Sequence, residues 1–310
     1  MKLKHTVMPL IAAAAAGLAG AACAEYPEKP VQFVVPWPPG GAEDVLTRII
    51  ADEFQAMYGN AAAVINKPGG GGGPFPGAVE VAAAEPDGHT VGSFVIGVPV
   101  VGPQTGIPEL NPDPFEPVGI FMTYPFLIVA GKDAPYSSMA ELADHARENP
   151  VVLGHFGAPL VPTQVTFGLA DRLGFEFASD SAFDNLDCNT LASGDVDVMN
   201  TTMSLVSPCL KDLKVLATVT EERLALTPDA PAVAELAPDL DVVLWNGLFV
   251  PKGTPDDVIA KIESAAVAAI NSSDALDYVA GNGAPLYWKD REASRKQILK
   301  DIETFGALTQ

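Results

Sequence analysis

Two stretches of this chain have residue types and spacing that could hold a ligand. Pro36-Trp37-Pro38-Pro39-Gly40-Gly41 follows a short apolar run, Val31–Val35, and precedes Leu46, Ile49, Ile50, Phe54 and Met57 at helical spacing. A strand that turns through Gly-Gly into a helix leaves several backbone N–H groups unpaired at the positive end of the helix dipole, where a carboxylate or phosphate is favoured. The competing reading is a turn that needs glycine on steric grounds alone. Pro39, Gly40, Gly41 and Ala42 are the candidate binding residues here. Asp44 stands beside them in the first helical turn, where an acid is favourable with or without a ligand. The second stretch, Gly154-His155-Phe156-Gly157 through Pro159, Pro162 and Thr163, lies between a strand and a helix that Thr163 could cap. It would offer a second set of N–H groups, with Phe156 as an apolar wall and His155 as a donor. A lone loop histidine is, however, more often structural than ligand-binding.

Catalytic constellations are scarce. The four histidines (His5, His89, His145, His155) form no His-x-x-x-His pair, and the chain has no Gly-x-Ser-x-Gly elbow and no Cys-x-x-Cys pair. Gly69–Gly73 lacks the Gly-Lys-Ser/Thr ending of a P-loop and the layout of a dinucleotide fingerprint, so it reads as a flexible or tightly turned connection. No metal site, cofactor or catalytic residue is expected. Cys188 and Cys209 admit either a disulfide or two separate buried thiols.

Elements that could position these loops recur along the chain. Strands are expected at Val31–Val35, Ala62–Ile65, Thr90–Ile96, Phe126–Val129, Val151–Leu153, Val196–Met199, Val215–Val219 and Val242–Val250. Helices fall between them, at residues 139–148 and 165–173 among others, and three more close the chain from Asp256 on. Gly59 is placed to end the first helix. Repeated βα units with short loops imply an α/β fold with mostly parallel sheets, and 310 residues suit two such sheets better than one. A hydrophobic fraction of 48% excludes a disordered chain. With 18 Lys+Arg against 39 Asp+Glu, the net charge of -21 excludes a basic nucleic-acid binder and a polybasic membrane-surface protein. Lys2 and Lys4, the apolar run Val7–Ala22 and the small residues Ala22-Cys23-Ala24 have the layout of a secretory signal peptide cleaved near Ala24. Acylation at Cys23 is the lesser alternative, because Gly20-Ala21-Ala22 lacks the large aliphatic residue usual three positions before a lipidated cysteine.

Longer blocks carry a resemblance. Tyr26–Pro30, Val34–Gly41 with Asp44 and Arg48, Asn66–Gly69, Gly77-Ala78 and Pro86–Thr90 begin it. Leu191–Asp197, Leu216–Thr220 with Arg223, Pro231–Glu235 and Trp245–Pro255 continue it in order over the rest of the chain. Together these resemble the tripartite tricarboxylate transporter receptors, the Bug family of periplasmic binding proteins. The resemblance implies two α/β domains joined by crossing hinge strands and closing on a ligand. Residues 25–123 plus 245–310 would form domain 1 and residues 124–244 domain 2. It further implies a small organic carboxylate as ligand, integral-membrane transporter subunits as partners and a periplasmic location. A monomer is expected. Carried onto this chain, the ligand loops are Pro38–Ala42 and Gly154–Gly157 with Thr163. Asn200 could add a hydrogen bond, and Phe156 or Trp245 an apolar wall.

Some positions depart from the family pattern. His155 and Phe156 stand in a loop usually rich in Ser and Gly, a usual Val-Pro-Tyr-Lys-Gly segment is replaced around Ala178–Ala182, and Asn200-Thr201-Thr202 follow a strand usually ended by Asp or a small residue. These bear on ligand identity and leave the fold expectation intact. The same scaffold acting as a sensor for a signalling partner, and a periplasmic hydrolase or isomerase using Asp/Glu and His155, are the alternatives.

Overall fold

The computed structural model describes residues 25–240 and 242–308. The expected leader, residues 1–24 with Cys23, lies outside the described residues. The chain opens with β1 (Val31–Val35), α1 (Ala42–Tyr58), β2 (Ala62–Asn66), α2 (Phe75–Ala82), β3 (Thr90–Val95), α3 (Gly97–Val101) and β4 (Phe115–Thr123). There follow β5 (Phe126–Gly131), α4 (Met139–Ala146), β6 (Val152–His155), α5 (Val161–Arg172), β7 (Ser179–Ala182), α6 (Cys188–Ala192), β8 (Val198–Thr202), α7 (Met203–Val206), β9 (Leu213–Val219) and α8 (Val233–Leu236). Last come β10 (Trp245–Pro251), α9 (Asp256–Ile270), α10 (Ser273–Ala280), β11 (Leu286–Lys289) and α11 (Arg291–Leu308).

Two sheets result, ordered β11-β4-β10-β3-β1-β2 and β7-β6-β8-β5-β9. They are mixed rather than mostly parallel. Pairing is parallel where a helical crossover returns the chain, β1 with β2 and β3, and β6 with β7 and β8. It is antiparallel around β4, β5 and β10. The reason is the path of the chain: β4 carries it out of the first sheet and β10 brings it back, so the two lie antiparallel side by side. At the crossing, Tyr124 N–H donates to Leu244 O at 2.7 Å and Ile96 N–H to Trp245 O at 3.0 Å.

The core follows the apolar spacing. Leu46, Ile50 and Phe54 lie on one buried stripe of α1, with Phe54 edge-on to Phe33 of β1 at 6.0 Å. Full burial of such side chains contributes about 1.5–3 kcal/mol each. In the second sheet Leu127, Val129, Leu153 and Val198 are fully buried.

Three local expectations shift. Gly154 and His155 belong to β6 rather than to a loop, because residues 179–182 form β7 and pair with them. α5 begins at Val161, since the fixed φ of Pro162 suits a first turn; Leu160 is therefore the N-cap and Thr163 lies inside the helix instead of capping it. β8 runs on to Thr202, which places Asn200 within a buried central strand. Cys188 and Cys209 are joined as a disulfide, with Cα atoms 6.0 Å apart. No helix among the described residues is long and apolar enough to cross a membrane.

Candidate functional site

The turn after β1 cannot extend the sheet, because Pro36, Pro38 and Pro39 lack N–H groups. Gly40 then takes φ +106°, which favours glycine, and Gly41 is the extended N-cap of α1. The Gly40 N–H donates to Asp44 Oδ2 at 3.0 Å. Asp44 also accepts from Arg48 Nη2 at 2.7 Å and Asn66 Nδ2 at 2.8 Å. Burial alone would raise the Asp44 pKa, but the donors from Arg48, Asn66 and Gly40 outweigh it and hold the carboxyl below its usual range. Asp44 therefore ties the turn to α1 and β2; it does not line the cavity. Pro39 and Gly40 are exposed and Ala42 is buried away from the cavity, so of the expected loop Pro38–Ala42 only Pro38 and Gly41 line it.

The residue between Ala42 and Asp44 was not anticipated. Glu43 is buried, and its carboxyl folds back over Gly41: a Cβ at Gly41 would stand 2.6 Å from Oε1 and 2.9 Å from Oε2. The carboxyl takes a hydrogen bond from its own backbone N–H and lies 3.1 Å from the Tyr124 hydroxyl. Tyr124 is also 3.2 Å from Asn246 Oδ1, whose amide donates to Ser93 Oγ at 2.8 Å. Burial pushes the Glu43 pKa up to about 7 against the pull of its own N–H and of Tyr124. In sequence, Glu43 looks like an ordinary helix-dipole acid; only the crossing strand's Tyr124 reveals its burial.

The second turn is organised by His155. Its ring is buried, with Nε2 2.7 Å from Asp180 Oδ1, while Nδ1 accepts from Gly157 N–H at 3.0 Å. That pattern assigns the proton to Nε2. Neither the His155 ring nor the Gly157 N–H is left to face a ligand, and Gly154 is packed beneath Leu186 and Val196. Phe156 does face the cavity, edge-on to Trp37 at 5.4 Å and to Phe126 at 6.0 Å. Thr163 is fully buried with its hydroxyl unpartnered. Asn200 donates to Thr166 Oγ1 at 2.9 Å and leaves its Oδ1 unpartnered. Trp245 is not a cavity wall: its indole turns into the first sheet's core, donating to Asp301 Oδ2 at 2.7 Å and stacking on Phe249. An alternating strand sends neighbouring side chains to opposite faces, which is why Trp245 points away while Leu244 lines the cavity.

Between the two turns lies a cavity of about 50 Å³, room for a few waters or a compact ligand. Trp37, Gly41, Glu43, Tyr124, Phe156 and Leu160 are among its walls, and no Lys, Arg or His among the described residues lines it. Across its mouth runs a further unanticipated contact. The N–H groups of Gly70 and Gly71, in the glycine run after β2, each donate at 2.7 Å to the carboxylate of Asp184, which follows β7 of the other sheet. The glycine run is thus an anion-holding turn for the chain's own carboxylate. No local signal paired it with Asp184.

Residues 46–310 match the family described as tripartite tricarboxylate transporter family receptor. A UPF0065 protein of Cupriavidus necator is 30% identical over 268 residues, covering 82% of this chain and 80% of that one. Among solved structures, the periplasmic binding protein BugD superposes with a TM-score of 0.81 at 26% identity, over 91% of this chain and 97% of that one. MatC of Rhodopseudomonas palustris with bound malate superposes at 0.82 and 26% identity, over 92% and 100%. The chain belongs to the tripartite tricarboxylate transporter receptor family.

Proposed function

We propose that this chain is a periplasmic receptor that captures a small organic carboxylate between its two sheets and delivers it to integral-membrane transporter subunits. The observation that carries this reading is a largely apolar cavity between the sheets at which α1 and α5 both begin, α5 with no acidic residue in its first turn and no side-chain cap. Backbone donors at such termini stabilise an anion without a salt bridge. Family membership and the malate held by the R. palustris relative support the ligand class. The leader-like residues 1–24 support export, and the crossing strands support domains of 25–123 plus 245–310 and of 124–244, hinged between Thr123 and Phe126 and before Trp245. His155 lends no support to the hydrolase alternative, because its ring is held by Asp180 and Gly157.

A thermal-shift and calorimetric screen with mono-, di- and aromatic carboxylates tests this. At a hundredfold excess over Kd, a ligand stabilises by about 2.7 kcal/mol, which raises Tm by several degrees. A well-folded protein whose Tm no carboxylate moves would sink the assignment.

A further inference from the structure

Resting on that reading, we infer that the ligand is a small carboxylate that also carries a protonated amine, bound in one direction: ammonium toward Glu43 at α1, carboxylate toward the first turn of α5. The two ends of the cavity are chemically unequal. At α1 the anion position is already filled from within, because the Glu43 carboxyl lies over Gly41 and on its own backbone N–H. At α5 no acidic residue stands in the first turn and no side chain caps it, and the one carboxylate on that side of the cavity, Asp184, is already taken by the Gly70 and Gly71 N–H groups. The first-turn N–H groups of Val161 and Thr163 have no partner at i−4 within the helix.

The groups around Glu43 supply no positive charge. Tyr124 approaches from the crossing strand, and Asn246 of β10 meets the same hydroxyl. Tyr278 of α10 is pushed up to about 12 by burial and then by Glu43 and Asp44. Asp44, the next residue, adds like charge, and its own carboxylate is matched by Arg48 and Asn66 outside the cavity. A second carboxylate brought to this end meets an acid; an ammonium meets a hydrogen-bond acceptor. The aromatic walls Trp37, Tyr124 and Phe156 suit a cation as well as an apolar body.

Matched probe pairs test the direction: 4-aminobutanoate against butanoate, leucine against 4-methylpentanoate, phenylalanine against 3-phenylpropanoate, and glutamate against pentanedioate. Each is titrated calorimetrically into the full-length exported protein at pH 7, in two buffers of different ionisation enthalpy. In at least one pair the amine-bearing member is expected to bind tenfold or more tighter and to release a proton, because an ammonium favours ionised Glu43. Glu43→Gln, checked for an unchanged or raised Tm, should reduce that preference below threefold and abolish the proton release. Equal or tighter binding of the plain carboxylates, with proton uptake, overturns this inference and leaves the receptor reading standing. Retention of the amine preference in Glu43→Gln overturns the role of Glu43. Binding of neither member of any pair overturns both readings.

Discussion

The helix starts that open on the cavity solve the same electrostatic problem in opposite ways. α1 is closed from within: Asp44 takes the Gly40 N–H, and Glu43 lies over Gly41. α5 is left open, its turn set by His155 and stiffened by Pro159 and Pro162, and no acid stands in its first turn. Neighbouring carboxyls show how local the control is. Asp44 is held low by a guanidinium and an amide, whereas Glu43, one residue earlier, is pushed up to about 7 by burial with a single hydroxyl and its own N–H as donors. A helix N-terminus by itself therefore does not say which charge a pocket receives. What the chain has already placed there decides it.

The first way to break this comparison is pH. The folded pKa of Glu43 lies above its ordinary 4.5, so its contribution is complete below about pH 4.5 and is lost as pH rises through about 7. At 1.36 kcal/mol per unit, the loss approaches about 3 kcal/mol by pH 8.5. Asp44 and Asp87 are shifted the other way, so their contributions fall only in acid; from pH 5 to 8.5 Glu43 acts together with Asp301, whose carboxyl burial also raises. Urea unfolding across that range should show wild-type stability declining and Glu43→Gln declining much less. Parallel slopes for the two proteins would mean that Glu43 is solvated.

The second concerns the half that holds α5. Cys188 and Cys209, 21 residues apart, close a loop whose release costs about 2–3 kcal/mol. The double substitution to Ala should lower the unfolding midpoint accordingly. Hydrogen exchange should rise in α6, α7 and β8 and stay unchanged in α1 and β1. Equal loosening of both halves would show that they unfold as one unit.

How much of this was legible in sequence follows from the range of the forces. Strand and helix order was readable because Val31–Val35 and Leu46–Phe54 carry their period locally, and Gly59 ends α1 with its N–H on Gln55 O as expected. The two turns were found because Gly-Gly and Pro-rich junctions have local geometry. The mixed pairing of the sheets was missed, since strand direction around β4, β5 and β10 is set by a crossing between halves far apart in sequence. The same range limit hid Glu43 behind Tyr124, 81 positions away, and Asp184 behind the glycine run, more than a hundred positions away. His155 was noticed, but its ring direction depends on β7, which pattern alone did not predict.

A third prediction addresses the contact that joins the halves. Asp184→Ala removes both bonds from Gly70 and Gly71, each of a kind worth about 1.5–3 kcal/mol when fully buried. Asp184 is only partly buried, so the net effect is smaller: ligand affinity should fall about tenfold, or about 1.4 kcal/mol. Small-angle scattering of the unliganded variant should give a larger radius of gyration. An unchanged radius and affinity would show that the glycine turn closes nothing.

The smallest expected effect is the sharpest at α5. Thr163 is fully buried and its hydroxyl has no partner, a condition that costs stability in any folded protein. Thr163→Val keeps the branched shape and removes the orphaned hydroxyl, so the free protein should gain up to about 1 kcal/mol. If the hydroxyl helps α5 hold a ligand carboxylate, the same variant should bind that ligand several-fold more weakly, so stability and affinity move in opposite directions. A gain in stability with unchanged affinity would assign Thr163 to packing and leave the backbone of α5 as the sole anion donor at that end.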